Sequence, residues 1–173
     1  MVHMARHNRT FAIDAREKAP AAATPTQFLF TGVPAAQLFG VTSTSGLSVG
    51  VPGTLAALDT ALKRYGTIKL RDAIEPAIAV AEQGFAINRF LAANILADGG
   101  RTSFQPETAA TFRPGGVALK AGDLLVQPDL AKTFRLIARH GPDVFYRGEI
   151  AQAIIAAQAR SRSSSVVAVA ERA

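Results

Sequence analysis

Cysteine is absent from the 173 residues. Disulfides and thiol catalysis are therefore excluded, and the redox compartment is left open. Aromatic residues are few, and none interleave with basic residues to form a stacking platform for nucleic acid. Acidic residues are outnumbered, 13 against 19 basic, which gives a net charge of +6. Such a balance can suit an anionic partner. The basic residues form no block, however. Arg6, Arg9, Arg16 and Lys18 lie near the start, Lys63, Arg64, Arg135 and Arg139 on presumed helices, and Arg160 and Arg162 near the end. Solvated surface charge accounts for them, and nucleic acid is not expected as a partner. No apolar run is long enough to span a membrane. Residues 1–16 carry charge without the apolar stretch of a signal peptide, so localisation is undetermined. His3, His7 and His140 are too dispersed for metal-ligand spacing, and no cofactor is expected. Half of the chain is apolar and much of that is alanine, the composition of a folded, helix-leaning protein.

Residues 11–13 read as a short strand. Residues 31–50, rich in Gly, Ser, Thr and Pro, read as a long loop. Regular structure is expected from Pro52, because a helix's first turn tolerates the missing N–H of proline. Leu55, Leu58, Leu62 and Tyr65 follow at helical spacing, and Gly66 is placed to end the helix in a left-handed conformation. A second helix over 70–83 puts Ala73, Ile74, Ala77, Ile78 and Ala81 on one face, with Pro76 inside it. Asn88 can cap a third, to about Ala97. Residues 98–127 read as irregular, with turns at Gly115-Gly116 and Ala121-Gly122-Asp123. A fourth helix opens at Pro128 or Asp129, with Leu130, Phe134, Ile137 and Ala138 as its apolar stripe, and closes at His140-Gly141. Val144-Phe145-Tyr146 reads as a turn of apolar anchors. A fifth helix spans 149–159, with Ile150, Ala153, Ile154 and Ala157 inward. Beyond it, Arg160-Ser161-Arg162-Ser163-Ser164-Ser165 is low in complexity and unlike the rest.

Gly46-Leu47-Ser48-Val49-Gly50 satisfies the Gly-x-Ser-x-Gly pattern of a nucleophile elbow, and His140 follows in the order such hydrolases use. The chemistry would need Ser48 on a sharp strand-to-helix turn, with His140 as base and an acid such as Asp123 orienting it. Pro52 and Gly53 separate Ser48 from the helix, and no series of strands precedes it. His140 at a helix C-terminus is favoured by the dipole alone. Gly50-x-x-Gly53-Thr54 before a helix is similar to an anion-binding turn but lacks the lysine of a phosphate loop. Asp123 is expected to hydrogen-bond its own turn.

Five segments in order resemble the gamma-glutamyltransferase (gamma-glutamyltranspeptidase) family. They are Ile13-Asp14-Ala15-Arg16-Glu17-Lys18-Ala19-Pro20; Gly50-Val51-Pro52-Gly53-Thr54-Leu55 leading to Lys63-Arg64-Tyr65-Gly66-Thr67; Pro76-Ala77-Ile78 with Ala81-Glu82-Gln83-Gly84-Phe85; Gly122-Asp123 through Gln127-Pro128-Asp129-Leu130-Ala131; and Phe145-Tyr146-Arg147-Gly148-Glu149-Ile150-Ala151. Together they span about 11–158. The resemblance implies an N-terminal-nucleophile hydrolase of αββα fold, made as a precursor that cuts itself into large and small subunits. It implies transfer of the gamma-glutamyl group of glutathione and related compounds to water, amino acids or peptides. The nucleophile is a threonine freed at the start of the small subunit. Family members are often periplasmic or extracellular.

On that resemblance the chain is a partial large-subunit segment, mainly α, without the small subunit as partner and inactive alone. No residue of this chain is expected to be catalytic, and no metal is expected. Arg16 matches the arginine that binds the alpha-carboxylate of the gamma-glutamyl group, a task its planar fork suits. The competing reading pairs Arg16 with Asp14 or Glu17. A fragment of a related acylase or of a poly-gamma-glutamate-cleaving enzyme is the alternative within the superfamily; a non-catalytic helical interaction module is the alternative outside it. Three regions are expected: 1–51 with the Asp-Ala-Arg-Glu motif, a helical lobe over 52–158, and a disordered tail over 159–173. Leu58, Leu62, Ile74, Ile78, Phe134, Ile137 and Ile154 are the expected core. Phe11, Ile13, Phe28, Leu29, Phe30, Leu38 and Phe39 are expected to lack full partners.

Overall fold

The chain begins with a small hairpin in the computed structural model, which describes residues 1–29, 42 and 45–170, with the side chains of Phe104 and residues 161–170 outside the description. Phe30, Leu38, Phe39 and most of the expected 31–50 loop therefore lie outside the described residues. Strand β1 (Val2–Met4) pairs antiparallel with β2 (Arg9–Phe11), Val2 opposite Phe11. Asn8, at φ 47°, turns the chain between them. The strand expected over 11–13 thus ends at Phe11, because its partner is the segment before it.

Six longer helices and two short ones follow among the described residues: α1 (Thr54–Tyr65), α2 (Leu70–Gln83), α3 (Arg89–Ala97), α4 (Gly99–Phe104), α5 (Pro106–Phe112), α6 (Pro128–His140), α7 (Asp143–Tyr146) and α8 (Glu149–Ala170). The chain is mainly helical, as its composition suggested. The helix expected from Pro52 starts two residues later, with Gly53 at its N-cap. Gly66 caps it in an extended conformation, φ −83° and ψ 161°, instead of the left-handed one expected. Asn88 caps α3 as its side chain predicts, its Oδ1 accepting the Leu91 amide at 2.9 Å. The stretch 98–127 is more regular than its glycines suggested. Pro106 occupies the first position of α5, where it costs no hydrogen bond. Strand β4 (Leu124–Leu125) pairs antiparallel with β3 (Phe85–Ala86).

Contacts divide the chain into two compact units, Met1–Leu70 with His140–Ala173, and Arg71–Arg139. This boundary differs from the expected one at 51/52. The reason is that α1, α7 and α8 pack with the N-terminal segment, whereas α2 and α6 pack with each other. The helix α8 runs on through Ala170, across the segment expected to be a disordered tail.

The unit Arg71–Arg139 holds two apolar clusters. In the first, Ile78 and Ala81 of α2 meet Ala131 of α6, with Ile74, Phe134 and Ala138 packed around them. Ala131 is 0% exposed, so the two helices approach closely there. In the second, Ile87, Ile95 and Leu125 are buried together, with Leu91, Ala92, Phe112, Ala118 and Leu119 against them. Of the expected core, Ile78 and Ile137 are buried, and Ile74, Phe134, Leu62 and Ile154 are half-buried. Leu58 is 54% exposed and does not belong to it. The expected stripe on α2 is also narrower, since Ala73 and Ala77 are exposed; an i, i+4, i+7 row through Ile74, Ile78 and Ala81 makes the contact. On α8, Ala153 and Ala157 are exposed where an inward face was expected.

Candidate functional site: the arginine loop

Three of the five motif segments meet in the unit Met1–Leu70 with His140–Ala173. The meeting point is the loop that carries Arg16. Asp14 shapes it locally: its Oδ1 accepts the Arg16 amide at 2.9 Å, an Asx turn. Lys18 and Val51 then exchange both backbone hydrogen bonds, at 3.1 and 2.8 Å. Two residues on, Gly53 faces the carbonyls of Ala15 and Arg16. A Cβ at Gly53 would lie 2.4 Å from the Arg16 oxygen and 2.7 Å from that of Ala15. Only glycine permits that approach of two backbones. The motif around Gly50 is therefore the seat of the motif around Arg16.

The third segment reaches the same place from the far end of the chain. The Tyr146 hydroxyl donates to the Pro52 carbonyl at 2.8 Å and accepts the Ala56 amide at 3.1 Å. Ala56 lies in the first turn of α1, where amides lack intrahelical partners. A tyrosine hydroxyl thus satisfies a donor that the Gly53 N-cap, with no side chain, cannot. Sequence reasoning took Tyr146 for an apolar anchor. Its place within a motif segment was the only sign of more.

The Arg16 side chain is 83% exposed and pairs with Glu17, Nη2 to Oε1 at 2.9 Å. Of the two sequence readings of Arg16, the structure makes the pair with Glu17, and the guanidinium still faces solvent. An exposed pair between neighbours holds weakly. Arg has five N–H donors, so one contact to Glu17 leaves a fork that a second carboxylate can meet. Asp14 and Glu17 act on the loop and its arginine, as supports.

The remaining two motif segments meet in the unit Arg71–Arg139. The Gln127 amide donates to the Ala81 carbonyl at 2.8 Å. Gly84, at φ +79°, turns the chain from α2 into β3, and a Cβ there would lie 2.8 Å from the Leu125 carbonyl oxygen. The Ile87 amide donates to the Asp123 carbonyl, and the Gly122 amide to that of Ile87. These two segments build a core, and chemistry-bearing side chains are few among them. Asp123 accepts the Lys120 amide at 2.7 Å, closing its own turn as expected. Arg135 donates to Glu82 across the cluster. The hydrogen bond from Arg135, and secondarily its charge, holds the Glu82 carboxyl below the usual carboxylate range.

The Ser48 elbow is not built. Gly46–Ser48 forms a single 3-10 turn, with Ser45 capping it through the Leu47 amide at 3.1 Å. The Ser48 hydroxyl donates to the Thr42 carbonyl, so the bond a catalytic base would need is already spent on backbone. His3 bonds Thr10 within the hairpin. Among the described residues, no group of three or more His, Asp or Glu could hold a metal ion, and no helix is long and apolar enough to cross a membrane.

Comparison with known proteins meets this geometry. The family model described as gamma-glutamyltranspeptidase matches residues 1–167. The match extends into the segment from 159 that the sequence pattern set apart. The glutathione hydrolase proenzyme of Bacillus subtilis (strain 168) is 43% identical over 159 residues, covering 89% of this chain and 26% of that protein. An acylase ACY 1 proenzyme of Pseudomonas sp. (strain SE83) is 40% identical over 107 residues, covering 62% of this chain and 19% of that protein. Among solved structures, the gamma-glutamyltranspeptidase of Helicobacter pylori superposes with a TM-score of 0.80 at 38% identity, over 88% of this chain and 43% of that one. The chain thus spans 26% and 19% of the length of these two curated relatives.

Proposed function

The chain belongs to the gamma-glutamyltranspeptidase family, and from that premise we propose that it is a large-subunit segment of an enzyme that moves gamma-glutamyl groups of glutathione-like compounds to water or to amino acids. The observation that carries this reading is the Arg16 loop. Three separate motif segments converge on the backbone of the loop that carries one exposed guanidinium. Arg16 holds the alpha-carboxylate of the gamma-glutamyl donor through two parallel hydrogen bonds.

Acyl transfer also needs a nucleophile and donors for the developing oxyanion. In this reading both belong to the small subunit, within the part of the relatives that the chain does not span. The described helices belong to the outer layers of an αββα enzyme. The chain by itself therefore grips and does not turn over.

Two measurements test this. The purified chain should release no product from a gamma-glutamyl anilide. Turnover that Ser48→Ala abolishes would restore the elbow and overturn the reading. A chimera in which this chain replaces the matching segment of the Bacillus subtilis relative should be active. In it, Arg16→Ala should raise KM about tenfold to a hundredfold, the usual worth of a hydrogen bond to a charged group. An unchanged KM would remove Arg16 from the site. The acylase relative supports a second reading, and preference of the same chimera for an acyl-amide substrate lacking the alpha-carboxylate would favour it.

A further inference from the structure

Tyr146 holds a position that no local rule explains. Its ring stacks edge-on against Phe145, with centroids 5.0 Å apart, and that contact would serve a phenylalanine equally. The hydroxyl does something else. It bridges Pro52 and Ala56, which lie 94 and 90 residues away along the chain. Pro52 stands between the two residues that seat the arginine loop: Val51, doubly hydrogen-bonded to Lys18, and Gly53, in backbone contact with Ala15 and Arg16.

The element bearing Tyr146 is itself tightly fixed. The amides of Arg147 and Gly148 both donate to the Asp143 carbonyl, at 2.8 and 3.0 Å. A Cβ at Gly148 would lie 2.8 Å from Val144 Cα. The hydroxyl is therefore presented from a closed turn, while the Arg16 loop is defined by backbone bonds, its Asx turn and the exposed Arg16–Glu17 pair.

We propose that Tyr146 is a positioning residue whose hydroxyl pins the turn at residues 51–53 and through it sets where the Arg16 guanidinium stands. The consequence for substrate rests on the reading of Arg16 given above; the pin does not. Removing the hydroxyl frees the Pro52 carbonyl and the Ala56 amide. The turn then fluctuates, and the Ala15 and Arg16 carbonyls packed on Gly53 move with it.

The test uses the whole chain and Tyr146→Phe, which keeps the ring. Amide exchange at Val51 and Lys18 should become about threefold to tenfold faster, the scale of one lost hydrogen bond. Amides of Ile87 and Gln127, in the other unit, should keep their rates. The Arg16 Nε–H resonance should shift, which loss of packing elsewhere would not produce. Unchanged exchange at Val51 and Lys18 overturns the pin. Faster exchange there with an unmoved Arg16 resonance overturns the positioning role. Neither readout involves substrate, so failure of the Arg16→Ala measurement in the chimera is separable from failure here.

Discussion

The two units of this chain are held together by different physics. Every buried apolar side chain among the described residues, from Ile78 to Ile137, lies in the unit Arg71–Arg139. Among the described residues of the other unit the apolar side chains are at most half-buried, and the buried residues are Ser45 and Gly46. What orders that unit is hydrogen bonding and close backbone contact: the Lys18–Val51 bridge, Gly53 under Ala15 and Arg16, Gly46 against the Gln158 backbone, and the Tyr146 hydroxyl. Phe11 does find a partner, stacking on Tyr65 at 4.8 Å. Ile13 and Phe28 are half-buried and Leu29 is 72% exposed. Apolar burial is non-directional and tolerates repacking, whereas backbone contacts fix positions. A core therefore suits a supporting lobe, and a latched loop suits the ligand-holding role proposed for Arg16.

The largest expected effect probes the difference directly. Ile78→Ala should lower unfolding stability by about 2–5 kcal/mol, from lost transfer energy and the cavity left beside Ala131. Leu58→Ala, at an exposed position, should stay within about 0.5 kcal/mol. Urea denaturation of both variants measures the contrast. Equal losses would mean that the first unit has a covered apolar face of its own.

Gly53→Ala should act next most strongly. The added methyl meets carbonyl oxygens of two residues, neither of which is the end of a flexible side chain. Overpacking of this kind costs about 1–3 kcal/mol. It should speed exchange at Val51 and Lys18 while Ile87 keeps its protection. A variant as stable as the parent, with the Val51 amide still protected, would show that the loop does not depend on this approach.

The smallest effect belongs to the exposed Glu82–Arg135 pair. The folded-state carboxyl binds its proton at lower pH than in the unfolded chain, because Arg135 hydrogen-bonds the charged form. Its contribution is present above the unfolded-state value and fades as pH falls through the depressed folded one. Glu82→Gln should therefore lower stability slightly at neutral pH and leave it unchanged in acid, which flattens the acid limb. A larger loss in acid than at pH 7 would contradict that sign.

Much of the helical lobe was legible because its determinants are local. Asn88 caps its helix through the Leu91 amide three residues ahead, and the α2 row through Ile74, Ile78 and Ala81 repeats within its own helix. The motif around Arg16 was legible as a family resemblance, as were the segments around Gly50 and Tyr146. Ile87 and Leu125 were missed because two-residue strands carry no periodicity, and their burial follows from pairing across nearly forty residues. Leu58 was misplaced because helical spacing says that a face is apolar without saying what covers it.

The sequence by itself determined the helical class, the Asn88 cap, the Asp123 turn and the order of five motif segments. The three-dimensional structure alone decided that these segments sort into two sets, one making a core and the other seating an arginine. It also decided that a tyrosine hydroxyl caps α1. The physical reason is range. Helix capping and stripe formation act over three to four residues, whereas Gln127 to Ala81, Val51 to Lys18 and Tyr146 to Pro52 are hydrogen bonds whose partners only folding brings within 3 Å.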